Sequence, residues 1–101
     1  MSAAEETLAI QLRAAGIPFD REVTFAPPRK FRADFRIGGD LLVEVDGGTW
    51  MQKSRHGFGS GYARDCEKQA SATILGYRVI RVTPEHVSSG VALQWIEQAA
   101  R

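Results

Sequence analysis

A single cysteine, Cys66, is the only thiol in this 101-residue chain. It has no partner for an internal disulfide, and it excludes a zinc centre built on several cysteines. A lone thiol fits a reducing compartment. Charge of one sign is lacking as well. Thirteen Lys and Arg stand against twelve Asp and Glu, a formal net charge of +1, so the total does not suggest histone-like coating of nucleic acid. No apolar run reaches the length of a membrane-spanning helix. The N-terminus, MSAAEETLAI, is acidic and helix-prone, unlike a signal peptide. A cytoplasmic protein without membrane contact is expected. Repeats, linkers and low-complexity tracts are also missing, and the length suits one domain over 1–101 with a modest core.

What is present is strongly patterned. Ala4, Leu8, Leu12 and Ala15 recur at helical spacing over 3–15, with Ser2 to cap the start and Gly16 and Pro18 to stop it. Residues 20–26 suit a strand ended by Pro27-Pro28. Residues 32–37 alternate, with Ala33, Phe35 and Ile37 on one face and Arg32, Asp34 and Arg36 on the other. A Gly38-Gly39-Asp40 turn leads to a strand over 41–46. From Gly47 to Gly61 the chain holds five of its ten glycines and no acid, which reads as a loop. A helix is expected over 62–75 with Gly76 just past its end, then a strand over 77–82. A last helical stretch opens at Thr83-Pro84-Glu85 and breaks near Gly90. This order implies an α/β fold with a mixed sheet: an antiparallel meander of three strands, and a fourth laid parallel after a helical crossover.

The hairpin at 32–46 fixes a juxtaposition. Both strands keep their apolar residues at odd positions, and a one-residue slip would reverse every side chain. A three-residue loop over 38–40 sets Ile37 opposite Leu41. Asp34 then faces Glu44, with Asp46 one step further along the same face. Like charges directly opposed destabilise a sheet. A divalent, oxygen-seeking cation such as Mg²⁺ or Mn²⁺ would reconcile them. The plainer alternative is a solvated face on which Arg32 and Arg36 balance the acids.

The helix over 62–75 crosses the sheet. Its residues Arg64, Asp65, Lys68 and Ala72 form one stripe, and Cys66, Ala70, Thr73 and Ile74 form an apolar one, so Lys68 is expected outside the core. Glu5 lies one turn before Leu8 on the core side of the first helix, either looking into the same pocket as Asp34 and Glu44 or simply favoured by the helix dipole. Two basic segments flank the acidic centre. One holds Arg29, Lys30 and Arg32; the other holds Lys53, Arg55, His56 and Arg64. Together they suit a track for a phosphate backbone. Trp50 and Phe58 could stack on bases or pack beneath the loop.

The segments RADFRIGGDLLVEVDGGTW and RHGFGSGYARDCEKQASATILGYRVIRVTPEHVSSGVALQWIEQA resemble the PD-(D/E)XK nuclease superfamily, and in particular short endonuclease-like proteins of bacteriophages and prophages. In outline they are also similar to very-short-patch-repair-type and virus-type replication-repair nuclease domains. The resemblance implies a restriction-endonuclease-like core and a Mg²⁺-dependent endonuclease acting on DNA, with branched, Holliday-junction-like DNA among the candidate substrates and a homodimer as the matching assembly. It makes Asp34 and Glu44 the metal-binding acids, the backbone carbonyl of Val45 a third ligand, and Glu5 the acid of the first helix. Position 46, where the family's lysine is expected, holds Asp46. That departure points to Lys68 as the lysine moved onto the following helix and to Asp46 as a further metal ligand. It equally supports a nuclease-like scaffold that binds nucleic acid without cutting it. A third reading is an unrelated α/β protein with a solvated acidic edge.

Overall fold

A computed structural model describes residues 2–47 and 60–100. Helix α1 spans Ala3–Ala14 and is capped by Ser2, whose hydroxyl accepts the Glu5 N–H at 3.1 Å. Gly16, at φ 72°, closes it with the Gly16 and Ile17 amides donating to the Arg13 and Leu12 carbonyls. Strands β1 (Asp20–Thr24), β2 (Arg32–Ile37) and β3 (Leu41–Val45) form an antiparallel meander. Helix α2 (Ser60–Ile74) then leads to β4 (Arg78–Val82), which lies parallel to β3 in the order β1-β2-β3-β4. Helix α3 (Pro84–Ser88) and helix α4 (Val91–Ala99) meet at Gly90, which adopts φ 87°. The expected mixed sheet and element order are both present.

The two faces of the sheet differ in chemistry. On one, Phe35, Ile37, Leu41, Val43 and Val82 are buried with Leu8 and Leu12 of α1, Val87 of α3 and Ile96 of α4. This apolar face supplies most of the core and fixes the strands. A smaller cluster joins Phe25, Phe31, Ala33 and Leu42 to Ala72 of α2, with Tyr77 and Val79 against it.

Helix α2 therefore sits the other way round from the stripe read in its sequence. Ala72, grouped with Arg64, Asp65 and Lys68, is buried, whereas Cys66, Ala70, Thr73 and Ile74 are exposed, Ile74 by 82%. The sheet face below is largely charged, so the helix turns its charged stripe inward. The small Ala72 allows it to approach over Leu42. Lys68 is partly buried as a result, not free in solvent as the stripe suggested.

Candidate active site

The hairpin register is the one that parity requires: Ile37 pairs with Leu41, Arg36 with Leu42 and Phe35 with Val43. Continued by one residue, it sets Asp34 beside Glu44. The register of β1 on β2, with Arg21 on Phe35 and Val23 on Ala33, likewise sets Glu22 beside Asp34. Three carboxylates thus stand in a row across three strands, on the face that α2 overlies. A cavity of about 220 Å³ opens there, lined by Glu5, Glu22, Arg32, Ala33, Asp34, Glu44 and Lys68. Glu5 arrives from the first turn of α1, and Lys68 from the middle of α2.

Each acid is held differently. The Lys68 ammonium donates to Glu44 Oε1, with the two side chains only 22% and 16% exposed. Asp34 Oδ2 accepts the Val45 N–H at 2.8 Å, and among the described residues its Oδ1 has no hydrogen-bond partner. Arg32 pairs with Glu22 at 3.2 Å, both side chains well exposed. Glu5 Oε2 accepts the Ser2 hydroxyl at 3.3 Å. The opposed charges of Asp34 and Glu44 are thus answered within the protein by an amine and a backbone amide. Four carboxylates nevertheless share the cavity with two cations.

Among the described residues no three His, Cys, Asp or Glu side chains come together as a ready-made metal cage. Asp34 and Glu44 instead offer two carboxylates on adjacent strands, with Glu5 lining the same space. Mg²⁺ suits such a donor set, because it retains several waters and takes one or two carboxylates. The residues present fit a hard divalent ion; soft-metal ligands are lacking among the residues that line the cavity.

Other residues singled out from sequence fall elsewhere. Asp46 is paired with Arg81 at 3.1 Å and lines a separate hollow with Arg81, Val82 and Thr83. Val45 presents its amide to Asp34. Arg29 and Arg64 both lie over the ring of Phe31, Arg32 reaches the cavity rim, and Lys30 is exposed. Lys53, Arg55, His56, Trp50 and Phe58 lie outside the described residues. Glu22 was not anticipated. Its signal was the alternation in DREVT, which places Asp20, Glu22 and Thr24 on one face. Glu22 also holds φ 52°, an uncommon left-handed conformation for a residue with a side chain.

Comparison of the sequence finds no matching protein-family model and no matching curated protein. Among solved structures, the catalytic domain of the homing endonuclease I-Bth0305I superposes with a TM-score of 0.71, covering 97% of this chain and 92% of that one at 17% sequence identity. The two share one fold. At this identity the likeness carries architecture, and the roles of individual side chains rest on the geometry above.

Proposed function

We propose that the protein is a divalent-metal-dependent endonuclease of the PD-(D/E)XK type that hydrolyses DNA phosphodiester bonds. The observation that carries this reading is the single cavity in which Asp34, Glu44, Glu5 and Lys68 meet, on a scaffold shared with an endonuclease catalytic domain. Asp34 and Glu44 would hold Mg²⁺ or Mn²⁺, with Glu5 and the Val45 carbonyl as further oxygen donors. Asp46 is engaged by Arg81 and would need to leave that pair to join them. When bound, such an ion polarises a phosphoryl oxygen and acidifies a bound water.

The chain's own groups supply the rest. In the free protein Lys68 neutralises Glu44. Were Glu44 to hold a cation, the Lys68 ammonium beside the cavity would be free to orient an attacking water or offset charge that develops on the phosphoryl oxygens. Arg32, at the rim, offers a fork of N–H donors to an incoming phosphate. The enclosing residues are almost all polar, which suits a charged backbone better than an apolar ligand.

Branched DNA is the favoured substrate class. A homodimer would place two cavities on two strands, as resolving a junction requires. The reading is tested by incubating labelled linear and four-way-junction DNA with the protein in Mg²⁺, Mn²⁺ or EDTA, beside Glu44→Ala. Metal-dependent cutting that Glu44→Ala abolishes is expected, with the junction cut faster and a dimer on gel filtration when junction is present. Binding without cutting under every condition would instead favour a non-catalytic nucleic-acid-binding module.

A further inference from the structure

Beside the cavity, two guanidinium groups from distant parts of the chain converge on one ring. Phe31, 2% exposed, immediately precedes β2. The Cζ of Arg29 lies 4.3 Å from its centroid and that of Arg64 lies 4.8 Å from it. Arg29 belongs to the β1–β2 connection and Arg64 to α2, so the fold itself assembles the pair. Phe25 stacks against Phe31 at 6.3 Å and anchors the ring in the smaller core cluster. Both cations thus rest on a fixed platform, and their separation cannot exceed the two ring distances taken together.

An anion placed between two such groups would be stabilised by both. Among the described residues one carboxylate answers, Glu67, which accepts from Arg29 at 2.7 Å, with the side chains 47% and 54% exposed. Arg64 has no carboxylate partner among the described residues. Helical periodicity sets Arg64 one turn before Lys68 on the same side of α2, and Arg32, one residue after Phe31, lines the cavity. Each of the pair is thus linked through its own stretch of chain to a residue that lines the cavity, Arg29 to Arg32 and Arg64 to Lys68.

We propose that Arg29 and Arg64 form a clamp for one backbone phosphate adjacent to the cleaved one, and that Glu67 stands in for that phosphate while the protein is free. The proposal rests on the nuclease reading and deepens it. Guanidinium groups held over a ring can still present N–H donors for bidentate contact with a phosphate. The Arg29–Glu67 pair is exposed and therefore weak, so an entering phosphate displaces it readily.

The test is fluorescence anisotropy of labelled DNA of two unrelated sequences, titrated in EDTA across a range of salt, together with thermal melting of each variant. R29A, R64A and the double variant R29A/R64A should weaken binding equally for both sequences. Because the two groups share one phosphate, the double variant should reduce the slope of log affinity against log salt by about 0.9, the value for a single contact. E67Q should tighten binding by about twofold to fivefold at low salt. R64K, which keeps charge but loses the fork, should recover only part of the affinity.

An unchanged slope in the double variant, with or without a lower melting temperature, would mean the arginines only brace the fold and would overturn the clamp. A fall of about two would indicate separate phosphates and overturn the sharing. Unchanged or weaker binding by E67Q would remove Glu67 as the stand-in. Wild-type protein that retains no DNA in EDTA overturns the clamp, whereas DNA held through the clamp but never cut in Mg²⁺ refutes hydrolysis alone.

Discussion

Lys68 has two partners to choose between. In the free protein it neutralises Glu44 in a partly buried setting; in the proposed cycle it serves the reacting phosphate. Lys68→Met keeps the stem's packing and removes the charge, leaving Glu44 beside Asp34 without its cation. A cost between that of an exposed and a buried pair follows, about 1–2 kcal/mol by urea denaturation. Adding Glu44→Gln should return much of it, because the unpaired charge is gone. A double variant no more stable than Lys68→Met would show that the pair carries no coupling. The opposition of Asp34 and Glu44 was legible in the sequence because strand parity is a hard constraint. The Lys68 partner was not. Helix amphipathicity says which stripe is apolar, and here the charged sheet face decided which stripe turned inward. Glu22 was hidden for a related reason: its place beside Asp34 depends on how β1 registers on β2, and no turn in the sequence fixes that.

At the level of elements, the approach of α2 to β4 sets where Lys68 sits. Gly76, at φ 91°, carries the chain through that corner, with its own N–H and that of Tyr77 donating to the Thr73 and Ala72 carbonyls. A Cβ there would meet open space, so Gly76→Ala costs only the left-handed backbone strain. About 1–2 kcal/mol of lost stability is expected, read from the urea midpoint with an unchanged slope. The start of β4 is tied to the β2–β3 turn by Arg78, which donates to both Asp40 oxygens at 3.0 and 3.2 Å. That guanidinium holds the Asp40 carboxyl below its ordinary value. A depressed acid contributes stability that is present above its unfolded pKa and lost as pH falls through the folded one. Asp40→Asn should therefore lower the melting temperature near pH 6, and the difference from wild type should vanish in strong acid. A difference that persists there would show that the pair's ionisation is irrelevant. Helix and strand positions were readable because Ser2, Gly16, Gly76 and Gly90 act locally; element ends shifted by one or two residues, as fraying ends do.

For the whole molecule, the sheet's asymmetry links fold to function. One face buries aromatic and aliphatic side chains under α1, α3 and α4. The other, covered by α2, carries a smaller apolar cluster beside a group of carboxylates and cations, and the cavity opens there. The same architecture recurs in an endonuclease catalytic domain at 17% identity, so the packing frame survives wide replacement of side chains. This level was accessible from element order alone: three early strands, a helical crossover and a returning parallel strand leave few topologies. What could not be read was the depth of the pocket, because Glu5, Glu22 and Lys68 reach it from three different elements. In the proposed reaction these acids would hold a divalent cation between Asp34 and Glu44. Calorimetric titration of Mn²⁺ into wild type and Asp34→Asn tests it most directly. Saturable binding by wild type, lost or weakened at least tenfold in the variant, is predicted; equal uptake by both proteins, or none by either, would contradict it.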